Sequence, residues 1–420
     1  MSARSVELGL RENAAQFTLL LAVNAFVGAM VGLERTTLPL IGEEDFGVGS
    51  SAALLSFIVA FGLAKALTNL GAGALAERAG RRRLLLMGWA FALPVPLLTA
   101  LAPSWAWIVV ANVFLGLNQG FAWSMTLLMK VDLVGPRRRG LALGLNESAG
   151  YCGLAFAAAL TGWLAADLVA RDVLVAGGFL VAAGGLLLTV LLVRDTEAHV
   201  ALEQARHHPD ASRQPPAIRA AFPAVSYREP ALRACSQAGL VNNLNDALVW
   251  GIVPLYLAAE GAGPGEIGLV AGLYPAIWGV GQIWSGHWSD SAGRKPLIVA
   301  GMLLQALALA SLAASGGGIP AAAASALALG LGTALVYPTL IAAISDAVSP
   351  VARPATVGVY RFWRDSGYVV GGLLAGVSAD AFGFSGAIVA VAGLTALSGI
   401  WVALDMPARS APALGAALKP

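Results

Sequence analysis

Gly73-Ala74-Leu75-Ala76-Glu77-Arg78-Ala79-Gly80-Arg81-Arg82 returns 213 residues later as Gly286-His287-Trp288-Ser289-Asp290-Ser291-Ala292-Gly293-Arg294-Lys295. Glycine, acid, glycine and two bases keep their places, and each copy follows a long apolar run. The match extends outward from the loops. Asp132 and Pro136 correspond to Asp346 and Pro350 at an offset of 214, and Pro39 to Pro254 at 215. A steady offset near half of 420 residues predicts two duplicated helical bundles. The glycines permit tight turns and close helix approach. The acids suit helix N-termini or bases of the facing half, and the arginine clusters hold the loops at an anionic lipid surface.

Composition places these loops at a membrane. The chain is 58% hydrophobic and 12% charged, whereas a soluble domain carries about 25% charged residues. Apolar runs of spanning length recur near 17–40, 50–72, 83–102, 105–130, 140–165 and 173–193, then near 233–258, 266–287, 297–315, 319–344, 354–379 and 385–405. The expectation is an all-α membrane protein of twelve transmembrane helices in two pseudo-symmetric six-helix bundles, residues 1–193 and 233–420. Between them, residues 194–232 carry five prolines and mixed charge and read as a cytoplasmic linker with little fixed structure. All but five of the 26 Lys and Arg residues fall on one side of this topology. Both termini are therefore expected in the cytoplasm, with the chain multi-pass in an inner membrane. The first apolar run is too long for the core of a cleaved signal.

The same counts exclude other classes. Basic residues cluster in short loops rather than on one face, so nucleic acid is not an expected partner. Cys152 and Cys235 lie in apolar stretches and read as small buried hydrophobes. His199, His207 and His208 share a polar segment without a metal-binding pattern. No nucleophile elbow or phosphate loop occurs, so neither enzymatic activity nor a cofactor is expected.

At its paired loops the sequence resembles the major facilitator superfamily. The loop pattern of that family is met in full by Gly73 to Arg82 and in reduced form by Gly286 to Lys295. The resemblance implies alternating access between two six-helix halves, with a loop that latches the cytoplasmic gate. That role falls on Gly73, Glu77, Arg78, Gly80 and Arg81, and on Gly286, Asp290, Gly293 and Arg294. It also implies that the first, fourth, seventh and tenth helices line a central cavity. The chain departs from drug-exporting members. Asn112 stands where they carry an arginine ahead of Gly116 and Gly120, and the fifth helix (Ala142 to Gly162) lacks their proline.

Eight ionisable residues lie inside the predicted spans: Glu34, Arg35, Lys65, Glu147, Asp246, Arg361, Arg364 and Asp365. At about 2.5–3.5 kcal/mol each, eight such charges facing lipid would exceed the stability of a typical fold. They must face one another, the bundle interior or water. Arg361, Arg364, Asp365 and Tyr368 share one face of the eleventh helix; Glu147, Gly150 and Tyr151 form a shorter stripe on the fifth, and Asn242, Asn245 and Asp246 one on the seventh. Asp246 and Glu147 are the candidate proton-coupling carboxylates; for Glu147 a static pair with Arg361 or Arg364 is equally open. Arg361 and Arg364 suit an anionic substrate group, or else pair with Asp365 and Glu147. Asp365, Asn118, Gln119, Asn242, Asn243 and Asn24 complete the candidate substrate site. Glu34 and Arg35 read as a local intramembrane pair, and Lys65 as a cation able to snorkel. Trp250, Tyr256, Tyr274, Trp278, Trp284 and Tyr337 are expected near the cavity.

Together these features predict a secondary active transporter of a small polar or anionic solute, coupled to protons and functional as a monomer. An exporter of apolar compounds is the second reading; a receptor or scaffold that no longer transports, needing no buried acids, is the third.

Overall fold

The computed structural model describes residues 6–135, 139–207, 218–348 and 353–407, and is helical with no strand among them. The helices are α1 (Ala14–Glu44), α2 (Ser51–Leu54), α3 (Ser56–Ala79), α4 (Arg81–Ala92), α5 (Pro94–Leu101), α6 (Trp105–Val134), α7 (Arg139–Leu164), α8 (Ala170–Leu192), α9 (Glu197–His207), α10 (Ile218–Pro223), α11 (Pro230–Ala259), α12 (Pro264–Ala292), α13 (Arg294–Ala314), α14 (Ile319–Ala347) and α15 (Arg353–Asp405). Nine segments among the described residues are long and apolar enough to cross a bilayer. α15 counts once among them, although Gly383 breaks it at φ +73°. α7 and α11 are not among the nine; they carry the buried runs Asn146–Glu147 and Asn242–Asp246.

Punctuation in the sequence explains the helix ends. Proline opens α5 and α11 and stands in the first turn of α12 and α14, where its missing N–H costs nothing. Gly80 and Gly293 separate α3 from α4 and α12 from α13 in almost one conformation, φ/ψ 84°/146° and 89°/154°, which a side chain would resist. Beyond them, Arg81 pairs with Asp132 at 2.6 Å and Arg294 with Asp346 at 2.9 Å. Each loop arginine thus ties its loop to the end of a long helix of its own half. Among the described residues the ion pair of Arg81 is made within its own half. Arg78 is exposed, and the side chains of Gly73, Glu77 and Asp290 lie outside the described residues.

The stretch expected to lack fixed structure instead carries helical pieces. α9 is started by Asp195, which accepts from the Glu197 N–H at 2.9 Å, and is anchored where the Thr196 hydroxyl donates to Asp132 at 2.7 Å. His199 of α9 is half-buried beside Asn13, and that burial holds its imidazole below the usual range. Ala221 and Val225 pack with Ile298 and Met302 of α13. Burial of these few apolar residues holds helix at Pro223 and Pro230; Pro209, Pro215 and Pro216 lie outside the described residues.

Two seams carry most of the packing between the N-terminal helices and those from α11 onward: α7 against α12, and α3 against α15. They are tight at one end. A methyl group added to Gly162 would come within 2.6 Å of Gly268 Cα, and one at Gly376 within 2.6 Å of Ala52 Cα. Asp380 of α15 reinforces this end by accepting from the Ser50 hydroxyl (2.7 Å) and the Ser51 and Ala52 N–H groups (2.6 and 3.2 Å), which caps α2. The other end, which carries Gly80 and Gly293, has parted. Gly144 and Gly286 lie eighteen residues, five turns, from Gly162 and Gly268, hence on the same helix faces. A methyl group at either would meet nothing within 4 Å among the described residues, and the same holds at Gly358, five turns from Gly376.

Candidate functional site

Between the tight and parted ends, the intramembrane charges gather in three groups. In the first, Arg35 of α1 forks onto Asp246 of α11, with Nη1 to Oδ1 at 2.5 Å and Nη2 to Oδ2 at 2.7 Å. Tyr368 of α15 donates to the same carboxylate at 2.6 Å, and the Trp250 ring lies 5.2 Å from the guanidinium carbon. Arg35 and Asp246 are 2% and 0% exposed, so desolvation makes this a pair that survives only if both partners stay. It corrects two sequence expectations. Arg35 turns away from Glu34, which sits beside Asn112 with Oε2 lacking a donor. Asp246, without a charged neighbour on its own helix, receives one from the other half of the chain.

The second group is built on α15. Arg364 binds Asp365 through Nε and Nη2 (2.8 and 2.9 Å) and donates from Nη1 to the Tyr337 hydroxyl at 2.5 Å. Asp365 also accepts from Asn69 of α3 at 2.5 Å and Asn243 of α11 at 3.2 Å, and Asn69 accepts from Ser124 of α6 at 2.9 Å. Arg364 is therefore consumed by Asp365, one of the two outcomes its sequence allowed. Arg361, one turn away and half-buried, has no acceptor at Nε.

The third group surrounds Glu147 of α7. It accepts from Trp123 Nε1 at 2.8 Å, Asn146 Nδ2 at 3.0 Å and Tyr337 OH at 3.4 Å. All three donors are neutral, and neither Arg361 nor Arg364 touches it. Tyr337, from the opposite half, accepts from Arg364 and donates to Glu147, joining the second group to the third. Beside them Lys65 of α3 places Nζ 5.3, 5.8 and 5.2 Å from the ring centroids of Phe61, Trp123 and Tyr368. Trp123 is thus shared: its N–H goes to Glu147 and its ring faces Lys65. Tyr151 stacks on Trp278 across the seam at 3.6 Å and lies 5.2 Å from Trp123.

Several expected solute contacts are spent on helix packing. Asn118 donates to Gly88 O at 3.0 Å, Gln119 to Val27 O at 2.7 Å, and Asn24 to Asn146 O at 2.6 Å. Asn242 and Asn245 turn to Gln305 of α13, leaving Asn243 at Asp365. Reaching sideways to a neighbouring helix uses part of each side chain's polar capacity, while Gln119 Oε1, Asn242 Nδ2 and Asn243 Oδ1 keep no partner among the described residues. Trp284 is 65% exposed and not at the cavity, and Cys152 is exposed rather than buried.

Sequence reasoning missed Lys130, which is fully buried and donates to Leu20 O at 2.9 Å. Its signal was present: Gln119, Trp123, Thr126 and Lys130 recur at helical spacing on one face of α6.

Comparison with known proteins resolves what this arrangement belongs to. The sequence model of the Major Facilitator Superfamily matches residues 15–234 and again residues 235–419. The chain belongs to the major facilitator superfamily. Two successive matches meeting at 234/235 cover nearly all of it, so membership rests on both halves. The chain is also similar to a probable 4-methylmuconolactone transporter of Cupriavidus pinatubonensis (strain JMP 134 / LMG 1197), with 25% identity over 236 residues. That alignment takes in 54% of this chain and 52% of the relative, so the chain spans about half the length of the curated relative it matches.

Proposed function

We propose that the chain is a proton-coupled secondary transporter of a small organic anion, working by alternating access, with Glu147 as the residue that takes up the proton. The observation that carries this is the contrast in hydrogen bonding at the two candidate acids. Glu147 accepts hydrogen bonds from neutral donors alone, with Lys65 and Lys130 in its field but not bonded to it among the described residues, so its protonation breaks no ion pair, whereas protonating Asp246 would leave Arg35 buried and unpaired. Asp246 is better read as the fixed partner of Arg35.

Twelve crossings fit the helices if α2 runs on into α3, α4 into α5, and α15 divides at Gly383, giving six in residues 1–193 and six in 233–420 around the linker 194–232. With both termini in the cytoplasm of a multi-pass inner-membrane protein, the parted end opens inward. Closing it would bring Gly144 toward Gly286, as Gly162 already meets Gly268. A monomer suffices, since the site is built from one chain. The relative's name makes 4-methylmuconolactone a first solute to offer, alongside simple organic acids.

The test is flux into liposomes holding the purified protein, with and without an imposed pH gradient. Wild type is expected to accumulate one of these solutes faster with the gradient, and Glu147→Gln to lose that response while still exchanging solute across the membrane. Oxidative cross-linking of a Gly144→Cys/Gly286→Cys variant is expected to halt flux reversibly. Gradient-indifferent flux in wild type would remove the coupling, and absence of flux for every solute would favour the scaffold.

A further inference from the structure

Resting on that reading of the chain as an anion transporter, we infer that Lys65 is the group that recognises the solute's charge, and that the solute is a planar monocarboxylate lying against the Trp123 and Tyr368 rings. The inference starts from what the other cations are doing. Arg35 is forked onto Asp246 and Arg364 onto Asp365 at the distances given above. Lys65 makes no hydrogen bond or ion pair among the described residues, although Asp365, Asp246 and Glu147 all lie within reach of its field. Each of those carboxylates is turned toward donors of its own. An ammonium has three N–H donors, and ring faces satisfy its charge without satisfying all of them. A carboxylate arriving from outside is the acceptor the site lacks.

Access and shape narrow the occupant. Lys65 is half-buried, while Asp246, Arg364 and Asp365 are 0%, 5% and 0% exposed. The lysine is thus, with Arg361, the more accessible part of the charged core. Three rings flank the nitrogen, and aromatic faces prefer flat partners. Trp123 continues the surface through Tyr151 to Trp278. One free ammonium calls for one carboxylate. Arg361, the remaining cation without an acceptor at Nε, stands a turn beyond Asp365 on α15 and has no place among the rings.

The experiment is quenching of tryptophan fluorescence in purified, full-length protein titrated with benzoate, benzamide, cyclohexanecarboxylate and terephthalate. Benzoate is expected to bind at least tenfold more tightly than its neutral isostere benzamide and severalfold more tightly than non-planar cyclohexanecarboxylate, with terephthalate no tighter than benzoate. Lys65→Gln should weaken benzoate about ten- to a hundredfold, the range for a charge-assisted hydrogen bond lost in a desolvated site, and erase the preference over benzamide. Lys65→Arg should restore part of it. Equal binding of benzoate and benzamide by wild type overturns the inference without recourse to any variant. So does a folded Lys65→Gln protein that keeps wild-type affinity, tighter binding of terephthalate, or no binding of benzoate at all. The transport reading fails separately: flux of another solute with no benzoate binding removes only the Lys65 assignment, while Lys65-dependent binding without flux of any solute removes only transport.

Discussion

Asp246 and Glu147 are both buried carboxylates facing the junction of the two halves, yet their surroundings assign them opposite work. Asp246 meets a full guanidinium fork and a tyrosine hydroxyl, so its charge is neutralised and its geometry fixed. Glu147 meets an indole, an amide and a phenol, so its charge is solvated without a direct ion pair among the described residues. What counts for a proton site in a membrane is what remains buried once the proton has arrived. At Glu147 that is three neutral donors, with Lys65 packed on rings and Lys130 bonded to Leu20 O nearby; at Asp246 it is a guanidinium fork that has lost its charge partner.

The sharpest way to break this contrast is Asp246→Asn. Leaving Arg35 uncompensated should cost about 3–5 kcal/mol, read as loss of folded protein in a thermal-unfolding assay. The double variant Asp246→Asn/Arg35→Gln should recover most of that loss, because no charge is then stranded. If Asp246→Asn were as stable as wild type, the pair would not be fixed and Asp246 would return as a proton carrier. Glu147→Gln should be far milder for folding, within about 1 kcal/mol, since an amide still accepts from neutral donors. Reaction with dicyclohexylcarbodiimide, which attacks protonated buried acids, should fall on Glu147 and spare Asp246. Modification of Asp246 instead would invert the assignment.

This contrast was only partly legible in the sequence. The loops announced themselves because Gly80 and Gly293 need a left-handed turn and Arg81 and Arg294 need an acid, and these local demands leave the same residues at the same spacing twice. The charged stripes on α7 and α15 were visible for the same reason, as helical periodicity within one segment. The Arg35–Asp246 pair was not, because its members stand 211 residues apart and helix periodicity carries no information about which helix lies opposite. Glu34 and Arg35 were read as a pair because they are adjacent, but neighbours one residue apart on a helix do not face each other. Arg364 and Asp365 show the limit of that rule, since a long guanidinium side chain can fold back onto the next residue when Tyr337 and Asn69 hold the ends. The diversion of Asn118 and Asn242 into packing was equally hidden, because an asparagine's partner on another helix leaves no trace in its own.

A smaller effect sharpens the comparison further. Tyr337→Phe removes the hydroxyl that links Arg364 to Glu147 and leaves the Arg35–Asp246 fork intact. The lost hydroxyl bonds to Arg364 at 2.5 Å and to Glu147 at 3.4 Å, so the first bond dominates the cost, which should be about 1–2 kcal/mol. Arg364 keeps both bonds to Asp365 and the phenyl ring stays packed on Trp278, so folding should survive. Transport should suffer differently. If Tyr337 relays the state of Glu147 across the seam, Tyr337→Phe should lower gradient-driven flux severalfold and leave gradient-free exchange nearly unchanged. Equal loss of both fluxes would make Tyr337 a packing residue, and Glu147 would then act without any link to the cations of the opposite half.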